Sequence, residues 1–150
     1  MSDEEWEGEM MDIEIRYDCE YVNWETVSET LKRVGMAYYE PCIHEKAFKN
    51  SHTVVFIFTK AKLIGFGRAI SDSAYQAAIY DVAVWPEYQG KGVGQIIMKN
   101  ILEKIPDCNV ILYAFPGNES FYEKFDFRRM RAGMALFKKS EEMRNRGFTE

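Results

Sequence analysis

The feature that most constrains the fold is the stretch of residues 80–94, which reads YDVAVWPEYQGKGVG. An extended, β-branched run stops at Pro86 and is followed by three glycines at alternate positions, Gly90, Gly92 and Gly94. From Val93 onward, apolar residues recur at helical spacing, which predicts a helix that starts directly at the glycines. The stretch therefore predicts a strand, a tight turn and a helix in immediate succession.

Such a junction is a natural site for an anion. The first amides of a helix have no intrahelical acceptor, and the helix dipole is positive at that end. A phosphate can accept several of these N–H bonds if no side chain blocks its approach, and glycines remove that obstacle. We therefore expect the main chain around residues 89–94 to bind a phosphate group.

The spacing of the glycines separates three motifs that bind diphosphates. A P-loop has four residues between its first glycine and a Gly-Lys pair followed by Ser or Thr, and this stretch does not. A dinucleotide fingerprint is G-x-G-x-x-G, whereas these glycines are spaced G-x-G-x-G. The pattern Q-x-x-G-x-G from Gln89, preceded by V-A-V-x-P, resembles the signature of the GNAT superfamily of acetyl-CoA-dependent N-acetyltransferases.

Length and composition fit one domain, residues 1–150, that can bury a sizeable core. The chain is 47% apolar, and no apolar run approaches the roughly 20 residues of a membrane span, so we expect a soluble protein without a membrane partner. The acidic first residues do not resemble a secretory signal, which predicts a cytoplasmic location. The net charge of −5 argues against nucleic-acid binding and favours a cationic substrate.

Cysteine and histidine usage predicts no metal site. The three cysteines are far apart and form no C-x-x-C pair, so neither a disulfide framework nor a zinc site is expected. The two histidines, His44 and His52, are not at metal-ligand spacing.

Hydrophobic periodicity predicts a mixed α/β (α+β) sheet with helices against its faces. Asn23 is expected to cap the first helix, which Gly35 ends. The predicted strands are 13–17, 53–59, 63–70, 77–84, 109–115, 127–131 and 134–138, and the predicted helices are 23–34, 43–49, 93–105 and 118–124. Residues 1–11 and 141–150 are expected to be mobile tails.

The GNAT resemblance covers about residues 12–139 and implies the same element order. It implies a mostly antiparallel sheet of about seven strands with about four helices. It also implies that the fourth and fifth strands splay apart and leave a cleft for the pantetheine arm of acetyl-CoA.

The resemblance also assigns cofactor contacts. The amides of Gln89, Gly90, Lys91, Gly92, Val93 and Gly94 would hold the pyrophosphate. The Lys91 side chain would either add charge there or face solvent. A main-chain amide of a bulged fourth strand would contact the oxyanion, from Val82, Ala83 or Val84.

Residues 118–125, NESFYEKF, look like the N-x-x-x-x-Y segment in the fourth helix of the family. The resemblance makes Tyr122 the general acid that protonates the leaving thiolate, and Asn118 a hydrogen-bonding partner of pantetheine. The alternative for Tyr122 is a tyrosine of the hydrophobic core, and the alternative for Asn118 is a helix N-cap. Asp126 replaces the family's glycine and is expected to tolerate a left-handed turn.

Asp81 is a carboxylate in an otherwise apolar strand, and GNAT enzymes often take their general base from this strand. Asp81 is therefore the candidate base, with Tyr80, Glu40 and Glu45 as reserves. The alternative is that Asp81 pairs with an arginine such as Arg68 or caps a bulge.

The resemblance implies direct attack of a primary amine on acetyl-CoA in a ternary complex, with a small molecule as the first choice of acceptor. Residues 36–45 and 131–133 would line the acceptor pocket, although packing between two helices explains the tyrosines of the first segment equally well. The rival functions are acetylation of a protein or peptide and a non-catalytic acetyl-CoA sensor. A homodimer is possible, since dimers are common in the family.

Overall fold

The structure is a computed structural model that describes residues 12–150, so the predicted tail 1–11 lies outside the described residues. The chain divides into two compact units, one ending at Ile111 and one spanning Leu112–Glu150. That the chain is a single domain stays a prediction. The elements of the first unit are β1 (Ile13–Arg16), α1 (Trp24–Arg33), α2 (Pro41–Lys49), β2 (Thr53–Thr59), β3 (Lys62–Ser71), β4 (Gln76–Val84), a 3₁₀ turn (Pro86–Tyr88), α3 (Val93–Glu103) and β5 (Asn109–Ile111). The second unit contains α4 (Glu119–Glu123) and α5 (Ser140–Asn145).

The sheet of the first unit has the order β1-β2-β3-β4-β5. The first four strands are antiparallel neighbours, and β5 runs parallel to β4. A mixed, mostly antiparallel sheet with helices against it confirms the predicted fold class.

The predicted number of strands is wrong: the described residues form five, because residues 127–131 and 134–138 form no regular strand. Short strands persist when they bury an apolar face. Met134 is 99% exposed and Leu136 is 92% exposed, so the second segment has no such face.

Residues 141–150 also differ from the expected tail. The chain forms α5, and the Phe148 ring packs against Phe115 and Phe137 of the same unit at centroid distances of 5.6 and 6.5 Å. The prediction of a tail overlooked Phe148, an aromatic residue near the end of this polar segment.

Helix α1 begins and ends where the sequence predicts, whereas α2 begins at Pro41, two residues before the predicted start. The Asn23 carboxamide oxygen accepts the amides of Glu25 and Thr26 at 3.0 and 3.2 Å, which caps α1. Gly35 follows the helix with φ +82°, a left-handed conformation that suits glycine.

An aromatic cluster joins these helices to the sheet. Phe48 of α2 lies 5.4 Å from Phe56 and 5.8 Å from Phe66, measured between ring centroids. All three side chains are essentially inaccessible to solvent. Because β2 is buried along its whole length, the sheet is covered on both faces at this strand.

Helix α3 lies on the opposite face, in close contact with β3. An ideal Cβ on Gly65 would lie 3.0 Å from side-chain atoms of both Val93 and Ile97. An ideal Cβ on Gly67 would lie 2.9 Å from Ile97 and Ile101. These glycines let the helix approach the strand, and the packing fixes where α3 begins relative to the end of β4.

Gly67→Ala tests this close approach. The added methyl has to displace buried isoleucine side chains, so the free energy of unfolding should fall by about 1–3 kcal/mol. The measurement is denaturant unfolding. Gly133→Ala is the matched control, since its ideal Cβ meets nothing nearer than 3.5 Å, and it should change stability by less than about 0.5 kcal/mol. Equal stability of the two variants would mean that α3 is not held this closely.

Candidate active site

The glycine-rich stretch adopts the predicted succession of strand, turn and helix. After β4 ends, Gly90 and Gly92 take φ values of +76° and +84°, and α3 starts at Val93. The Ile96 amide donates to the Gly92 carbonyl at 3.2 Å. The amides of the three residues before it therefore have no acceptor within the helix.

The surroundings of the loop leave room for a ligand. An ideal Cβ on Gly90 would meet no heavy atom within 4 Å, and Gln89 and Gly90 are exposed. Gly92 and Lys91 are half-buried. An open surface of main-chain donors at the positive end of a helix suits a diphosphate.

The Gln89 side chain fastens this loop to β4, a contact that the sequence reasoning did not foresee. Its Nε2 donates to the Val84 carbonyl at 3.1 Å. The amide of Trp85 donates to Ile64 of β3 at 2.8 Å. Since successive residues of a strand direct their main-chain groups to opposite edges, the Val84 N–H and C=O both face away from β3.

Strand β5 pairs with β4 only at its start, so within the first unit no strand pairs with the rest of this edge, here called the open edge of β4. The register pairs Gln76 with Asn109 and Ala78 with Ile111, and β5 ends there. The predicted strand 109–115 is therefore too long. The ladder ends at Ala78 and Ile111, and the Val84 N–H faces the open edge.

The expected bulge of the fourth strand is present. Phe66 pairs with Ala83 and Arg68 pairs with Tyr80, so the single residue between them on β3 opposes two on β4. Asp81 is one of these two residues, and its φ is +58°. Few residues other than glycine adopt this conformation, and Asp is one of the more tolerant.

The Asp81 carboxylate pairs with Arg68, which was the alternative to a base. Arg68 Nε donates to Asp81 Oδ2 at 2.7 Å, and the two side chains are 15% and 21% exposed. Arg68 Nη1 also donates to Ser51 Oγ at 3.3 Å. The role of Asp81 as a base stays a prediction, whereas its part in a mostly buried ion pair is established.

His44 organises the segment that was predicted to contact the acceptor. Its buried Nε2 accepts the Tyr39 amide at 2.9 Å, which places the ring proton on Nδ1. Burial lowers the pKa of His44, the Asp81 charge opposes this shift, and Arg68 adds to it. Tyr38 and Tyr39 are 50% and 59% exposed, and their rings also lie 5.7 Å from Lys32 of α1 and His44 of α2, respectively.

Trp85 is a second feature that sequence reasoning missed. The Arg33 guanidinium lies 4.6 Å from its ring and Lys62 Nζ lies 5.2 Å away. Arg33 also pairs with Glu87 at 3.3 Å. These contacts connect the turn after β4 to α1 and to the β2–β3 hairpin, and no local pattern links residues so far apart in sequence.

The second unit carries the two remaining predicted site residues. Tyr122 is half-buried between the rings of Phe121 and Phe127, at centroid distances of 5.0 and 6.1 Å, and burial raises its pKa. Asn118 precedes α4, but its side chain makes no capping hydrogen bond. Asp126 has φ +67°, which confirms the predicted left-handed turn.

Metal-ligand clusters and membrane-spanning helices are both absent from the described residues. Within residues 12–150, no cluster of three His, Cys, Asp or Glu side chains could hold a metal ion. None of the helices in this range combines the length and apolar character needed to cross a membrane.

Comparison with known sequences and structures identifies the family. The profile of the acetyltransferase (GNAT) family matches residues 13–127. The chain belongs to this family. Its GNAT fold is also seen in a probable acetyltransferase of unknown function from methicillin-resistant Staphylococcus aureus, with a TM-score of 0.74 and 28% identity over 83% of this chain and 98% of that one.

Curated relatives of this GNAT protein are longer than the matched region. An uncharacterized N-acetyltransferase ycf52 from Pyropia yezoensis is 31% identical over 121 residues, 76% of this chain and 63% of that protein. GCN5-related N-acetyltransferase 1, chloroplastic, from Arabidopsis thaliana is 26% identical over 75% of this chain and 60% of that protein. The chain thus spans about three fifths of these relatives.

The buried His44 predicts a pH-dependent stability. Its pKa in the folded protein is below the ordinary value of 6.5, so the unfolded chain binds a proton more readily. The stability from neutral His44 is present above pH 6.5 and is lost as the pH falls from there through the lowered pKa. His44→Gln should flatten this part of the curve of unfolding free energy against pH, and the control His52→Gln should not. Identical curves for His44→Gln and the unmodified protein would contradict this prediction.

Proposed function

We propose that this GNAT protein transfers the acetyl group of acetyl-CoA to a primary amine of a small molecule, by direct attack within a ternary complex. The observation that carries the proposal is the open cradle of main-chain amides between β4 and α3. The family membership supplies the reaction class, and the cradle is this chain's own structure.

The residues present fit the diphosphate of acetyl-CoA. The loop amides of residues 89–94 and the first amides of α3 would donate to its oxygens, and Gly90 leaves open space where a side chain would stand. Lys91 belongs to the same loop, and its side chain would add positive charge near the diphosphate. When bound, acetyl-CoA supplies an acetyl group activated as a thioester.

The open edge of β4 would support the acetyl group. The Val84 N–H faces this edge, where it can donate to the carbonyl oxygen as negative charge develops there. The Val82 amide belongs to the same proposed contact region, whereas the Ala83 amide faces β3, where Ala83 pairs with Phe66. The Gln89 side chain contributes by holding the Val84 carbonyl and so fixing the direction of its peptide.

Tyr122 is the proposed general acid. Burial raises the pKa of its phenol, so the group keeps its proton at neutral pH. The same desolvation would favour a neutral thiol over a thiolate, and this aids proton transfer to the leaving sulfur. Asn118 is proposed to bind pantetheine, since no helix-capping bond occupies its side chain.

The residues proposed to contact the acceptor amine belong to the first unit. Exposed Tyr38 and Tyr39 offer apolar and hydroxyl surface to an amine, and Asp81 remains the proposed base. We keep the cytoplasmic location and the absence of nucleic acid as predictions, together with a possible homodimer. The chloroplastic name of the Arabidopsis relative applies to that protein.

The test is calorimetric titration with acetyl-CoA, followed by thiol release across a panel of small amines and peptides. We expect saturable binding of acetyl-CoA and release of the coenzyme A thiol with at least one small amine. Release only with peptides would identify a protein acceptor instead. Binding without release from any amine would indicate a sensor, and no binding would refute the proposed cofactor.

Gly92→Asp tests the amide cradle. The new carboxylate repels phosphate, and the φ of +84° disfavours a side chain. Acetyl-CoA affinity should fall at least about tenfold, because each lost hydrogen bond to a charged group costs roughly 1.5–3 kcal/mol. Gly35→Asp is the matched control, since Gly35 has φ +82° and lies outside residues 89–94. It should share the backbone strain and keep the affinity, and an equal loss in both variants would reject the cradle.

Tyr122→Phe tests the general acid. Removing a proton donor from the transition state should lower kcat about 100-fold or more, with acetyl-CoA affinity within about twofold. The measurement is thiol release beside calorimetry. Tyr75→Phe, at a 64% exposed tyrosine, is the control and should keep full activity. An unchanged kcat in Tyr122→Phe would show that another group protonates the thiolate.

A further inference from the structure

We propose that Arg68 is a positioning residue whose ion pair with Asp81 holds β4 in its bulged conformation, and that the bulge directs the Val84 N–H to the cofactor edge. The consequence for acetyl-CoA rests on the proposed function. The clamp itself is a property of the free protein and can be tested without a ligand.

The bulge requires an unfavourable backbone conformation at Asp81. Its φ of +58° lies in the left-handed region, where an L residue brings its Cβ close to the main chain. Such a conformation persists when surrounding contacts determine it. The contact on the Asp81 side chain that the structure shows is the 2.7 Å bond from Arg68.

Arg68 is itself held in place from several directions. Its guanidinium carbon lies 5.7 Å from the Phe48 ring and 5.3 Å from the Tyr80 ring, and Nη1 donates to Ser51. These neighbours come from α2, the following loop and β4. Because the position of the guanidinium is fixed, its bond to Asp81 fixes the carboxylate in turn.

The bulge determines which main-chain groups face the open edge. One extra residue on β4 shifts the alternation of the following residues by one position. Without it, Val84 would direct its N–H toward β3, and the Trp85 amide would lose its 2.8 Å bond to Ile64. The clamp therefore acts at Val84 although Arg68 lies on the neighbouring strand.

The first test is hydrogen exchange of the free protein in the variant Arg68→Met. Without the clamp, exchange of the Ala83 and Trp85 amides should become at least about tenfold faster, the effect of losing one charge-assisted hydrogen bond. Acetyl-CoA affinity should fall by a similar factor. If Arg68→Met does not fold, Arg68→Lys takes its place with the same expected direction.

The matched control is Arg16→Met. Arg16 also pairs with a carboxylate, Glu14, at 2.8 Å, and lies 4.3 Å from the Phe58 ring. It lies on β1, so its loss should leave exchange in residues 81–85 unchanged. Unchanged exchange in Arg68→Met as well would overturn the clamp.

Rescue separates positioning from general stability. Glycine adopts a positive φ without a clamp, so Arg68→Met combined with Asp81→Gly should return exchange at Ala83 and Trp85 to within about threefold of the unmodified protein. Exchange as fast as in Arg68→Met alone would overturn the proposal. If the unmodified protein binds no acetyl-CoA, the proposed function fails while the exchange results still decide the clamp.

Discussion

The close contact between α3 and β3 is the constraint on which the site depends. Gly65 and Gly67 let the isoleucines of α3 approach the strand, which fixes the helix against the sheet. Because the glycine loop only has to join the end of β4 to the start of this helix, the position of its amides follows from core packing. The geometry proposed to bind the diphosphate therefore needs no ligand to form.

The second requirement is the open edge of β4, which no strand of the first unit pairs with beyond Ala78. Strand β5 ends at Ile111, so within the first unit the main chain of β4 beyond Ala78 has no ladder on this side. The bulge at Asp81 then decides which amides face this edge. The early end of β5 and the strained Asp81 thus act together at the proposed cofactor edge.

The sequence predicted local features well, because their causes are local. The caps of α1, the glycine turn and the left-handed Asp126 each follow from one residue's conformational preference. The end of β5 depends on tertiary structure, which no local pattern reports. The Asp81–Arg68 pair joins different strands, so the sequence offered it only as an alternative to a catalytic base. The predicted last strands failed because alternation alone cannot supply a partner or a buried face.

The amides between β4 and α3 are proposed to hold the diphosphate of acetyl-CoA. The most direct measurement is titration of ¹⁵N-labelled protein with coenzyme A, followed by amide chemical shifts. We expect the amide signals of Gly90, Gly92 and Gly94 to shift most and to saturate together. The amide signal of Gly35, which has a positive φ like Gly90 and Gly92, should stay unchanged. Saturable binding that leaves the amides of residues 90–94 unmoved would contradict it.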